Sequence, residues 1–422
     1  MSDILNRTIV GGALAALLCG AAQADQYHYI NTPVGNRAAD MAGAYTAVSD
    51  DPTGLFYNPA GIVYSSGSNM SASMNTFQKG TITYKDVING ESNWVRSSTT
   101  LLPNFFGIVQ PLGKGVFGFS YAVPNSTNED QDQTFNNVAT TLGTARQFVV
   151  NFNNTDNTYN IGPSYAYEIN DRLSVGGTLY FHYRHQQRIN NALLLYSNDR
   201  LWTNEYLEVE EYGVKPVLGV MWTPARRWSL GATVSKVSVI DSSTTRYNTC
   251  LGADAGATTA SCEPGGVVIH QRIFSDEEPD YPLELRLGTA WFYSDALLLS
   301  GDIIYHESVD ATGISKRDSV VNVAMGGEYY LSPHWALRGG FFTDYAGTPQ
   351  LQENFTSYNQ ADHIDLYGIS IGISRFTRNS SLSLGVTYSL GNGKSQIFSG
   401  STVLQDVDME NLSVNLAASY TY

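Results

Sequence analysis

The last twelve residues, "NLSVNLAASYTY", put Leu412, Val414, Leu416, Ala418, Tyr420 and Tyr422 on one face and Ser413, Asn415, Ala417, Ser419 and Thr421 on the other. An alternation of period two is the signature of a β-strand with unlike faces. From about residue 66 onward, segments of this kind follow one another to the end of the chain. A soluble sandwich would turn the apolar face inward and a membrane barrel would turn it outward, so alternation alone leaves both open. The connections choose between them. Short turns near 170–172, 223–227, 293–296, 332–334 and 377–380 alternate with long polar stretches near 126–154, 189–204, 242–280, 310–318, 345–362 and 392–410. All tight turns then lie on one side and all long loops on the other, which is the asymmetry of an outer-membrane barrel.

Counting by this rule predicts an all-β fold, a transmembrane antiparallel β-barrel of about fourteen strands running from 67–77 to 411–422, with a hatch ahead of it. An even count puts both barrel ends on the periplasmic side. The terminal Tyr422 resembles the assembly signal of outer-membrane proteins, so the barrel-assembly machinery is an expected partner. Tyr165, Tyr167, Trp222, Trp228, Trp291, Tyr293, Tyr329 and Trp335 fall at predicted strand ends, where membrane proteins carry aromatic belts. Charged residues are only 15% of the chain and the net charge is -15, which excludes a sequence-independent grip on nucleic acid. Outside the N-terminus no apolar run is long enough for a membrane helix.

The N-terminus has a basic Arg7, an apolar run to Ala22 and an Ala-Gln-Ala site, so residues 1–24 read as a signal peptide. Leu18 before Cys19 argues against a lipoprotein. The predicted divisions are 1–24 signal peptide, 25–66 hatch and 67–422 barrel, in the outer membrane of a Gram-negative bacterium. In an exported chain Cys250 and Cys262 read as a disulfide; two free thiols are the alternative, and no His lies near enough to favour a metal site. No cofactor is expected.

Ahead of the first strand, Arg37 to Val48 is Ala-rich, with Asn36 as a candidate cap. Twelve residues are too few for a lone helix in water, so the segment must pack, and the enclosed surface next to strand one is the lumen. "GNRAADMAGAYTAVSDDPTGLFYNPAGI" resembles the N-terminal hatch of the outer-membrane long-chain fatty acid transporter family of the FadL and TodX type, with Asn58, Pro59 and Ala60 matching its Asn-Pro-Ala. The resemblance implies passive transport of hydrophobic small molecules, a lumenal pocket and lateral exit where the third strand kinks, which we place at Gly118 in "GVFGFSYAVP". Lipid, lipopolysaccharide and a hydrophobic solute are the expected partners, and the barrel is expected to be monomeric. Asn58 is expected to satisfy buried backbone groups beside Gly118.

Alternation points His182, Arg184, Arg188, Lys215, Arg286, His306 and Arg338 into the lumen as candidate substrate-binding residues, together with Glu284, Asp302 and Asp344. Most of these read as a charge ladder that stiffens the barrel, with one or two, Arg184 or Arg286, free to hold a carboxylate. Catalysis is disfavoured: no G-x-S-x-G element stands beside a plausible His/Asp pair. The rival function is a barrel that does not transport, such as a secretion shuttle or an adhesin-like protein.

Overall fold

The computed structural model describes residues 28, 29, 33–65, 67–88, 92–140, 143–251, 268–311, 315–354, 360–397 and 403–422. The predicted signal peptide and Cys262 lie outside them. The strands are β1 (Asn69–Ile88), β2 (Ser92–Thr100), β3 (Pro103–Leu112), β4 (Gly115–Thr140), β5 (Gly143–Asn170), β6 (Leu173–Leu195), β7 (Arg200–Ala225), β8 (Trp228–Ser235), β9 (Ser238–Leu251), β10 (Val268–Ser275), β11 (Glu284–Phe292), β12 (Leu297–His306), β13 (Val320–Ser332), β14 (Trp335–Asp344), β15 (His363–Phe376), β16 (Ser380–Ser395) and β17 (Gln405–Thr421). They form one antiparallel sheet that closes on itself where β1 pairs with β17, from Asn69↔Thr421 to Tyr84↔Val407. Three membrane spans are each broken in two: β2 and β3 both pair with β1, β8 and β9 both pair with β7, and β10 and β11 pair with β9 and β8. Seventeen segments therefore make a fourteen-strand barrel.

The faces are inverted relative to a soluble protein. On β15, Tyr367, Ile369, Ile371 and Ile373 are exposed on the outside, while Gly368, Ser370, Gly372 and Ser374 are buried inside. Large apolar side chains stand outward wherever lipid is the solvent. Trp228 stacks on Trp291 with ring centroids 5.6 Å apart, beside the short turns, and Tyr165, Tyr167, Trp222, Tyr329 and Trp335 are exposed at the same end. A second aromatic row crosses four neighbouring spans: Tyr121, Tyr159, Tyr183 and Tyr212, with successive centroids 6.3, 6.1 and 5.0 Å apart.

Beyond that row the pattern reverses, and here the structure corrects the sequence reading. Residues 126–140, 143–154, 189–195, 200–204, 242–251, 268–275, 392–395 and 405–410, expected in loops, belong to β4, β5, β6, β7, β9, β10, β16 and β17. Outside the membrane the outer face meets water and carries Asn151, Asn153, Thr155 and Asn157, while Phe148, Val150 and Phe152 turn inward. The alternation is intact but its polarity has flipped, so a polar stretch hides a strand. The inward residues there join Tyr84, Trp94, Leu194, Leu201, Leu366 and Val407 in an apolar cluster that fills the loop-side end of the lumen.

Residues 33–65 occupy the opposite half. They form two short helices, α1 (Asn36–Asp40) and α2 (Gly54–Tyr57), and a 3-10 turn, Pro59–Tyr64. The expected helix over 37–48 stops at Asp40, and its cap is Gly35 rather than Asn36, with no side-chain cap bond. The chain turns back at Ala42 and Gly43, both at positive φ (57° and 80°), because Met41 and Ala42 press on Gly326 and Gly340 of the wall. Local helix propensity yields to that seat. Wall glycines recur around the ring wherever the segment touches: a methyl group on Gly118 would strike Leu55, on Gly176 Pro59 and Ala60, on Gly219 Asn58, on Gly231 Thr46, and on Gly372 or Gly385 Asp40.

Polar contacts complete the seat. Asp302 accepts from the Tyr45 and Thr46 amides at 3.1 and 2.9 Å; the Leu55 carbonyl accepts from Thr178 and Tyr180 at 2.8 and 3.2 Å; the Ala60 carbonyl accepts from Ser174 at 2.8 Å. Arg37 makes a forked pair with Glu328 at 2.9 and 2.8 Å, and Arg338 bonds the same carboxylate at 2.6 Å. Asn58 donates to the carbonyls of Thr46 (2.8 Å) and Val220 (3.1 Å) and accepts from the Ala60 amide (3.1 Å). It satisfies three backbone groups, as expected of a buried amide, but beside Gly219 on the sixth span and not beside Gly118. Leu55 occupies the place at Gly118.

Two outcomes follow for this architecture. The folded barrel should migrate faster on a gel before boiling than after, because a closed ladder survives detergent until heated; equal mobility would contradict it. Asn58→Ala should cost about 1–3 kcal/mol by leaving buried backbone groups without partners. Amide exchange in 45–62 should quicken while the strands stay protected, and unchanged exchange there would show that Asn58 does not hold the segment.

Candidate functional site

All seven candidate residues face the lumen. His182, Arg184, Arg188, Arg286, His306 and Arg338 are buried and Lys215 is half-buried. The structure does not gather them at one point. They fall into three groups, and five of the seven are bonded to carboxylates.

The first group is a belt beneath the loop-side apolar cluster. Arg184 makes a forked pair with Asp156 at 3.0 and 2.8 Å and reaches Glu211 at 2.8 Å, whose other oxygen accepts from Tyr281 at 2.6 Å. Arg188 pairs with Glu205 at 2.8 Å. Through Gln186 and Asn154 the belt continues to Glu129, which is held by Arg96 at 3.1 and 2.7 Å, and from Arg96 through Tyr84 to Asp362. Arg96, Glu129, Asp156 and Glu211 were missed from sequence. Arg96 alternates with Trp94 and was legible by parity; Glu129 and Asp156 lay in or beside a stretch taken for a loop.

The second group joins the wall to residues 33–65. Arg338 and Arg37 share Glu328, and Arg338 lies 3.4 Å from Asp40. Burial pushes the Asp40 carboxyl up to about 6 against the pull of Arg338.

The third group lies above α2. Glu284 holds Arg286 at 2.7 Å and His306 at 3.1 Å, and His306 stacks on Tyr29 at 3.8 Å. Lys215, across the ladder from Tyr180, has no ion pair among the described residues; its ammonium stands 5.5 Å from the Phe56 ring centroid. His182 bonds Asn160 through Nδ1 at 3.0 Å, and its buried Nε2 has no partner among the described residues. Arg184 and Arg286 are each already paired with carboxylates of the protein itself. Lys215 and the Nε2 of His182 keep unused hydrogen-bonding capacity among the described residues.

Ser370 is the centre of Gly368-Ile-Ser-Ile-Gly372, but it sits within β15 and its hydroxyl donates to the Asp40 carbonyl at 2.8 Å. It is neither on a strand-to-helix turn nor presented to a base.

Near this level the wall is discontinuous between the second and third spans. Gly118, expected to mark the kink, sits in a regular ladder opposite Val109 and Ser164. The break is farther along: pairing between the second and third spans ends at Phe105↔Ala122, the register with β5 slips between Ala122 and Asn125, and β2 touches β4 only at Ser98↔Glu129. Pro103 and Pro124 lie on either side and have no N–H to give. Above the break side chains stand in for the ladder: Ser98 accepts from the Asn128 amide (2.9 Å), Gln131 donates to the Ser97 carbonyl (2.7 Å) and Gln133 to that of Asn93 (3.2 Å).

Known proteins share this plan. No curated protein matches the chain in sequence. Among solved structures, a Pseudomonas aeruginosa FadL homologue is 17% identical, with 92% of this chain and 98% of that chain covered and a TM-score of 0.64. The P. putida toluene transporter TodX is 15% identical, with the same coverage and a TM-score of 0.64. The CymD monoaromatic hydrocarbon channel is 15% identical, covering 94% of this chain and 99% of that one at a TM-score of 0.58. At such identities the likeness speaks for the fold. The sequence itself matches the model of the outer membrane protein transport proteins (OMPP1/FadL/TodX) over residues 15–269, more than half the chain. With the closed fourteen-strand barrel, this match establishes that the chain belongs to that family of Gram-negative outer-membrane transport proteins.

Proposed function

We propose that this barrel passes small hydrophobic molecules, long-chain fatty acids or related apolar compounds, from the cell exterior by passive diffusion, and releases them sideways through the break between the second and third spans. The observation that carries the reading is the contrast between that break and the hatch. Residues 33–65 are bonded to the wall on several sides and moulded against its glycines, so displacing them would break many contacts at once. The break is held by side chains where neighbouring spans have a ladder. An apolar solute leaving through the wall enters lipid and avoids re-exposure to water, worth roughly 25 cal/mol per Å².

In this reading the loop-side apolar cluster receives the solute, and Lys215 and His182 meet its polar end above the hatch. The relatives named as toluene and hydrocarbon channels support an apolar cargo. No step of the path calls for catalysis. The protein works as a monomer among lipid and lipopolysaccharide after insertion by the barrel-assembly machinery. A barrel that does not transport is the second reading, and the saturated belt through Arg184 and Arg96 is the observation in its favour.

Uptake of a labelled fatty acid or aromatic hydrocarbon by cells with and without the protein separates the two, and equal uptake would favour the structural barrel. Ser98→Cys combined with Glu129→Cys tests the route, since these residues face each other across the break. Oxidation should reduce uptake to near that of cells lacking the protein, and reduction should restore it, with the parent unchanged by either treatment. Undiminished uptake in the oxidised form would send the path past the hatch. Cys250, buried at the end of β9, is taken to be bonded to Cys262. Maleimide should label neither before reduction; labelling of both in unreduced protein would end that assignment.

A further inference from the structure

The break in the wall carries a cavity of its own, on the lumenal side of spans fourteen, one, two and three. Its lining combines Ile82 and Met409 with the amides of Asn125 and Asn411 and the hydroxyl of Thr127. Among the described residues no hydrogen bond engages these three polar side chains. The one cation at the cavity, Arg96, is fully buried and wholly committed: two of its nitrogens go to Glu129, a third to Tyr84 at 3.1 Å, and its plane lies over Phe152 with the guanidinium carbon 4.4 Å from the ring centroid.

We infer that this cavity is a binding subsite for an apolar molecule with a neutral hydrogen-bonding head, a hydroxyl or carbonyl, and that it discriminates against carboxylates. The inference rests on the proposed exit through the wall and says what that exit selects. Amides and a hydroxyl can both donate and accept, so they match a neutral head in either role. A carboxylate would find no free cation, and it would stand beside the buried Glu129 carboxylate, where like charges repel in a poorly solvated place. A bare hydrocarbon would leave three polar groups without partners, the arrangement by which a polar site rejects an analogue lacking the matching group. At about 40 Å³ the cavity has room for the head alone, and the apolar body would lie along Ile82 and Met409 toward the break.

The test compares three solutes of one size, benzyl alcohol, benzoate and toluene, as initial uptake by cells expressing the full chain, corrected for cells without it. Benzyl alcohol should enter faster than toluene and about tenfold faster than benzoate. Asn411→Leu with Thr127→Val should lower protein-dependent uptake of benzyl alcohol to about a tenth while leaving toluene within about twofold. Heat-modifiable mobility reports that the variant barrel has folded. If it has not, the isosteric Thr127→Val alone carries the test, with a smaller loss of the same selectivity. Equal losses for benzyl alcohol and toluene, or no loss for either, would overturn the inference and leave the exit route standing. Preference for benzoate would overturn it in favour of a cationic seat at Lys215. Uptake of none of the three above control cells would remove the transport reading itself, and this subsite with it.

Discussion

The structure depends on the closure of one hydrogen-bonded ladder. Within the hydrocarbon no water can satisfy a backbone amide or carbonyl, so a sheet that crosses a membrane must leave no edge. Here the last strand returns to the first, Asn69 meeting Thr421 and Tyr84 meeting Val407. Closure divides every strand into a face for lipid and a face for the lumen. That division explains why Ile369 and Ile371 stand exposed while Ser370 and Gly372 are buried. It also makes the interruption between the second and third spans meaningful, because a wall that must pair elsewhere is unpaired there.

The lumen is organised in layers. Residues 33–65 lie in the half of the lumen beside the short turns and are accommodated by wall glycines, where a methyl group would collide with them. Above them lie Lys215, His182 and the Glu284 group, then a belt of ion pairs, then an apolar cluster under the loops. Buried arginines in such a place are costly unless paired, and each of Arg96, Arg184, Arg188, Arg286 and Arg338 has its carboxylate. The belt therefore reads as scaffolding. Groups that keep unused hydrogen-bonding capacity among the described residues, at Lys215, the Nε2 of His182, Asn125, Thr127 and Asn411, are the better guides to what the lumen could hold.

Much of this was open to a reader of the sequence, because period two is a local property. It identified the barrel, the order of its fourteen spans, the aromatic ends, and the inward direction of all seven candidate residues. That residues 33–65 pack against the wall was legible too, from a short segment with nowhere else to pack, and the bonding of Asn58 from the needs of buried backbone between two prolines. Strand ends were not. Beyond Tyr159 and Tyr183 the outer solvent changes from lipid to water, so the alternation inverts and polar composition imitates a loop.

The sequence by itself determined which face each residue takes, since adjacent side chains on a strand must point to opposite sides. Only the tertiary structure decided which residues meet. Arg184 finds Asp156 from the neighbouring span, Arg37 finds Glu328 nearly three hundred residues away, and Asn58 settles beside Gly219 where Leu55 has already taken Gly118. These pairings depend on register and on closure of the ring, which are properties of all the strands together. No single segment carries them, and whether a lumenal charge is a free ligand or a satisfied brace is fixed at that level alone.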